Sequence, residues 1–327
     1  MDYINYWAVK QSPMQGMTGL WGGTQGTLLA GVSGPGDPQP LDYAGGRALL
    51  SSQGNSIVNY WDLTTTSNAG TFGTIPSNQA GDNAALCGNS GNRAVWGGGT
   101  SGENAMVYVT TTSTSNTSTF GSMQSSRYAP AGCSNGPRGL IAAGSTPSDT
   151  NSIEYITVAS TSSSADFGDR TVVRHGIDSV SGGVRGIFAN GQSPSDDTID
   201  YVTISSTGNA TEFGNTVGAR TFGCGTNSDP GSGQNRGVFM AGLGWQNSGV
   251  DYITCSTTGN ATDWGELNTA HSYRAGSGSD GITGYCGAGA GGSDNISYLT
   301  IDTTGSSTDA GELAGSGDSG GTSGKAS

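Results

Sequence analysis

The sequence predicts an all-β protein, a β-propeller of units about 47 residues long, and three phrases recurring in fixed order predict it. The first is a tyrosine run. VNYWDL, MVYVTT, IEYITV, IDYVTI, VDYITC and ISYLTI place Tyr60, Tyr108, Tyr155, Tyr201, Tyr252 and Tyr298 at spacings of 48, 47, 46, 51 and 46. The second is an aromatic–glycine pair at Phe72, Phe120, Phe167, Phe213 and Trp264, followed seven residues later by Gln79, Arg127, Arg174, Arg220 or His271. The third is an arginine-led apolar run, RALLSS, RAVWGGG, RGLIAAG, RGIFANG and RGVFMAG, starting at Arg47, Arg93, Arg138, Arg185 and Arg236.

Each phrase reads as a strand. Apolar and polar residues alternate over short runs bounded by Gly, Asn, Ser and Pro, and no segment carries a helical period. Thr, Val and Ile suit strands, and Gly suits tight turns and crowded approaches. Three or four strands per unit at this period is the pattern of a propeller blade. The near-duplicates TGNATEFG and TGNATDWG then read as a turn plus an aromatic wedge, reused because every blade needs the same corner. Blade number is less regular. Tyr6 in MDYINYW supplies a seventh tyrosine run, and DAGELAGSGDSGGTSG reads as the opening of a further unit. Seven blades are expected, six being the alternative, with strands from both termini sharing one blade so that no edge is left open. The whole chain, 1–327, reads as a single propeller domain. Within it, 1–50 is a degenerate first blade and closure region, 51–310 the regular repeats, and 311–327 a Gly/Ser-rich strand or tail.

Composition narrows the functions. Glycine accounts for 59 residues and only 11% are charged. Leu, Ile, Val and Phe together make up about 15%, a level at which disorder competes, but their recurrence at fixed places argues for a folded chain. A net charge of −13, with Lys10 and Lys325 the two lysines, excludes a basic nucleic-acid face. No apolar run reaches membrane-spanning length, so no membrane insertion is expected. The N-terminal sequence lacks an export-signal pattern, which predicts assembly in a cytoplasm. Five cysteines with no C-x-x-C pair indicate neither a disulfide framework nor a zinc site.

The repeated Arg93, Arg138, Arg185 and Arg236 are read as structural, satisfying carbonyls between blades, and Phe120, Phe167, Phe213 and Trp264 as core wedges. His271 stands at an arginine position of the repeat and is read as structural; His175 has no clustered carboxylate in sequence. Asp149, Asp196, Asp197 and Asp294 lack the spacing of a calcium loop. Asn116, Asn209, Asn260 and Asn295 sit in N-x-S/T sequons and are read as turn residues. Departures from the repeat are more informative. Trp245, in an insertion, is the candidate ligand-binding residue, a platform for stacking on a sugar. Met14, Met17, Leu20 and Trp21 form the candidate partner interface. No nucleophile elbow, P-loop or H-E-x-x-H occurs, so the expectation is a protein that is not an enzyme, with no cofactor and no metal.

Units of the form IDYVTISSTGNATEFG…AR…RGVFMAG resemble the Kelch-like repeat proteins of marine bacteriophage virions, those of cyanophages especially, over about residues 46–310. The resemblance implies a propeller assembled in a host cytoplasm and located in the virion, as a decoration, tail or fibre-associated component. It implies other virion proteins as partners, with a host-surface glycan as a further one. A lectin-like adhesion propeller is the alternative, and a glycan-active enzyme a more remote one. The order of the phrases departs from the ordinary Kelch pattern, and TGNATDWG departs from a sialidase Asp box, so the resemblance carries over no catalytic residue.

Overall fold

A computed structural model describes residues 46–324 apart from 89–90, 230–233, 245–246, 290–293, 316 and 318. The strands group into six sheets, and their innermost strands touch in a closed ring. The fold is a six-bladed β-propeller. From axis to rim, blade 1 holds Gly321–Gly324, Arg47–Ser52, Ile57–Asp62 and Gly70–Thr74. Blade 2 holds Asn83–Gly88, Arg93–Gly98, Glu103–Thr110 and Ser118–Arg127, and blade 3 Ala131–Ser134, Arg138–Ala142, Thr150–Thr157 and Ala165–Arg174. Blade 4 holds Asp178–Ser181, Arg185–Ala189, Asp196–Thr203 and Thr211–Thr221. Blade 5 holds Cys224–Asn227, Arg236–Met240, Gly249–Thr254 and Thr262–Glu266, and blade 6 Gly276–Ser279, Thr283–Gly287, Asn295–Thr300 and Thr308–Glu312.

The expectation of seven blades is corrected to six. The segment read as the start of another unit does two other jobs. Thr308–Glu312 is the rim strand of blade 6, with Ala310 at the aromatic position, and Gly321–Gly324 is the axial strand of blade 1, antiparallel to Arg47–Leu50. The ring is therefore closed by a late strand laid beside an early one; Tyr6 lies outside the described residues.

Each strand's composition follows its distance from the axis. Axial strands such as AGCS, DSVS and GSGS are short and small, because six of them converge there; a Cβ on Gly225 would lie 2.5 Å from the Ser179 carbonyl of the preceding blade. The arginine-led strands are covered on both faces and read as unbroken apolar runs. The tyrosine and rim strands alternate between buried and partly exposed. Among the described residues the core is divided. Six apolar clusters sit one per seam between adjacent blades, as where Leu140, Phe167, Phe188 and Ile204 join blades 3 and 4.

Candidate functional site

The seams account for most of the repeated residues. Arg47, Arg93, Arg138, Arg185 and Arg236 each lie over the tyrosine of their own blade, 4.2–5.3 Å from the ring centroid. Each also donates from Nη1 to a carbonyl of the following blade, at Thr111, Val158, Ile204, Cys255 and Ile301, over 2.6–3.4 Å. Stacking leaves the guanidinium plane's edge free to reach across the seam, which a lysine's point charge does not do. Phe120, Phe167 and Phe213 meet the same tyrosines edge-on at 5.9–6.1 Å. Trp264 is buried and donates from Nε1 to the Ile301 carbonyl at 3.1 Å.

The turn-and-wedge phrase joins blades too. A Cβ on Gly73, Gly121, Gly214 or Gly265 would fall 1.7–2.3 Å from a carbonyl of the next blade's turn. Asn116, Asn209, Asn260 and Asn68 reach back from turns of this kind, each accepting a backbone N–H of the preceding blade's rim strand at 3.0–3.1 Å. The sequon residues Asn116, Asn209 and Asn260 are thus seam caps; Asn295 donates instead to Asp309 within its own blade at 3.1 Å.

A third seam device was not read from the sequence. Glu154, Asp200 and Asp251, each just before the repeat's tyrosine, are fully buried. Glu154 accepts from Arg127 at 2.5 Å and from the Gln124 amide at 2.9 Å. Asp200 accepts from Arg170 Nε at 3.0 Å and from the Thr171 amide at 2.9 Å, and Asp251 pairs with Arg220 and the Val217 amide. The acid–Tyr pair in three successive units was the available signal. Burial holds His271 below the ordinary histidine range, so it is neutral. Its Nδ1 donates to the Ala288 carbonyl at 2.9 Å and its Nε2 accepts from Ser297 Oγ at 2.8 Å.

What remains for recognition lies where the rim-to-axis connections cross one mouth of the central channel. Phe222 contacts Tyr128, His175 and Tyr273 at ring distances of 6.4, 5.6 and 4.4 Å. Arg274 lies over Tyr128, Phe222 and Tyr273 and pairs with Asp82 at 2.6 Å. His175, without a partner in sequence, meets Asp149 Oδ1 at 2.9 Å, because the connection carrying Asp149 folds over it. Phe222 is buried, whereas Tyr128, His175, Tyr273 and Arg274 are half-buried and reach the surface.

Beneath them is a cavity of about 80 Å³, room for a few waters, lined in part by Asp82, Asn83, Asp178 and Ser277. Asp178 Oδ2 accepts from Asn190 at 2.7 Å, while Oδ1 has no hydrogen-bond partner among the described residues. Burial pushes its carboxyl up to about 7 against the opposing pull of Arg220. Sequence reading missed this cluster because its aromatic members fall one or two places after the Arg127, Arg174, Arg220 and His271 positions, out of register with one another.

Trp245, Met14, Met17, Leu20 and Trp21 lie outside the described residues. Among the described residues no three His, Cys, Asp or Glu side chains group as a metal site. Among the described residues no helix is long and apolar enough to cross a membrane. Comparison of the chain with protein-family models and with curated proteins gives no match.

Proposed function

We propose that this propeller is a non-enzymatic structural component of a phage virion, a decoration, tail or fibre-associated protein that docks other virion proteins and contacts the host surface. The observation that carries this reading is the recurrence of the whole unit, tyrosine strand, turn-and-wedge and arginine-led strand, which resembles virion repeat proteins. Its glycine and asparagine work between blades, so its recurrence serves a rigid ring that holds its two faces for display. Quantitative mass spectrometry of purified particles, with antibody labelling in the electron microscope, tests it. A fixed copy number at a defined position is the expected result, and absence from particles refutes it. Deleting residues 1–40 abolishes incorporation if Met14, Met17, Leu20 and Trp21 form the docking surface, provided the variant still melts cooperatively.

The mouth cluster favours a second reading, a lectin-like propeller. Half-buried tyrosines beside a guanidinium and carboxylates offer the stacking faces and hydrogen-bonding partners that a sugar uses. A glycan screen of the wild type, Tyr128→Ala, Tyr273→Ala and Trp245→Ala discriminates the two. Loss of a specific glycan with the tyrosine variants supports a mouth site, loss with Trp245→Ala moves it to that loop, and no glycan binding dismisses the reading.

A further inference from the structure

The seam between blades 6 and 1 breaks the pattern of the other five. In strand register Thr283 pairs with Thr300 just as Arg138 pairs with Thr157 and Arg185 with Thr203, so a threonine stands at the guanidinium position. The wedge is missing as well, since Ala310 occupies the place of Phe72, Phe120, Phe167, Phe213 and Trp264. Two tyrosine hydroxyls lock the blades instead. Tyr285 Oη reaches the Leu49 and Thr322 carbonyls at 2.7 and 2.8 Å, and Tyr298 Oη the Asp62 and Thr65 carbonyls at 3.1 and 3.2 Å.

Those hydroxyls do not fill the volume that the absent arginine leaves. A solvent-open cavity of about 240 Å³ remains, lined in part by Leu63, Thr64, Thr283, Tyr298 and Thr308. Leu63 is the register equivalent of Thr111, Val158, Ile204, Cys255 and Ile301, whose carbonyls receive the five arginines. Two carboxylates, Asp62 and Asp280, lie close enough to Tyr298 to hold its hydroxyl above the ordinary tyrosine range, with burial the larger cause. Two acidic residues thus stand near the slot, in a chain of net charge −13. Ile282, next to Thr283, is the most exposed of the large apolar side chains described, at 68%.

We infer that this seam is a receptor for the guanidinium of an arginine side chain presented by another protein. The five filled seams show what the slot accepts: a guanidinium edge-bonded to the carbonyl after the tyrosine strand of the next blade. No arginine of this chain is left to fill it. Of twelve basic residues Lys10 and Lys325 are lysines, leaving ten arginines. Five serve the seam carbonyls. The other five pair with Glu154, Asp200, Asp196, Asp251 and Asp82. An arginine occupant therefore comes from a second molecule. The exposed Ile282, on the turn just before Thr283, gives the residue flanking that arginine an apolar footing, which a free small cation does not use. This inference stands on the seam alone and does not depend on the virion reading.

The test titrates the full chain with acetyl-Gly-Arg-Gly-amide, its lysine counterpart and methylguanidinium while following the amide resonances of Thr64, Thr283 and Tyr298. Expected are saturable shifts with the arginine peptide, at least tenfold weaker binding of the lysine peptide, and at least tenfold loss in Thr283→Arg, which fills the slot from within. Thr283→Leu, narrowing the slot without adding charge, replaces that variant if it does not fold. Shifts that stay linear in concentration, equal affinity for lysine and arginine, or affinity unchanged in the filled variant overturn the inference. Saturable binding of methylguanidinium without binding of the arginine peptide overturns the side-chain source.

Discussion

Replacing Asp178 by Asn should make the protein more stable at neutral and alkaline pH and nearly indifferent at acid pH. Asp178 is fully buried beside the channel, with Oδ1 unbonded, and its folded pKa is about 7 against an ordinary 3.8. Because the raised pKa belongs to the folded state, that state binds the proton more tightly, and the stability it confers is present below about pH 4. It is lost as pH rises through 7. A shift of about 3 units at ~1.36 kcal/mol each puts the total loss near 4 kcal/mol, of which about 2.5 kcal/mol falls between pH 5 and 8. Asparagine keeps the shape and carries no charge, so it removes this dependence. Urea denaturation of both proteins from pH 4 to 8 gives the quantity that decides. The stability difference, variant minus wild type, should grow by about 2.5 kcal/mol from pH 5 to 8, or about 5 °C in melting temperature. The difference matters more than either curve, because His271 acts in the opposite sense. A difference that does not change with pH, or an Asp178 carboxyl 13C resonance that titrates near 4, refutes the reasoning.

Three further outcomes are expected. Arg127→Ala leaves Glu154 buried without its counter-charge and should cost about 3–5 kcal/mol in urea unfolding; a loss below 1 kcal/mol contradicts the seam's dependence on the pair. Gly73→Ala should cost about 1–3 kcal/mol, because its Cβ would lie 2.0 Å from the Ser115 carbonyl and blades 1 and 2 must part to admit it. His271→Gln should flatten the decline in stability as pH falls below 6.5. The folded-state pKa of His271 is depressed, so its stability is present above the unfolded value and lost on protonation; parallel wild-type and variant curves from pH 6.5 to 5 would be inconsistent with this.

The propeller was legible because strands at the same depth in successive blades meet the same environment, and that environment selects Tyr, Phe-Gly and Arg each time. The blade count was not, for a local reason. Blade 6 carries Ala310 and Thr283 where the signal expects an aromatic and an arginine, so its rim strand looks like the start of something unfinished. Axial strands such as CGTN and GSGS have almost no apolar periodicity, because crowding at the axis selects size over hydrophobicity. That kept Gly321–Gly324 from being recognised as the missing member of blade 1. The mouth cluster was hidden for the opposite reason. Its residues sit on connections free of any strand period, and Asp149 reaches His175 only through the folding of a separate loop.

Closing the ring with Gly321–Gly324 has a consequence during synthesis. Blade 1 stays one strand short while the ribosome translates the 274 residues that follow Arg47 up to Gly321, a wait of roughly 14–55 s at about 5–20 residues per second. Throughout that interval Ala48 and Leu50, fully buried in the finished ring, lie on a strand whose axial edge is bare and able to pair with a neighbouring nascent chain. On a crowded polysome the first blade made is the last to be protected, so yield should fall as translation initiates more often and recover when messages are spaced apart.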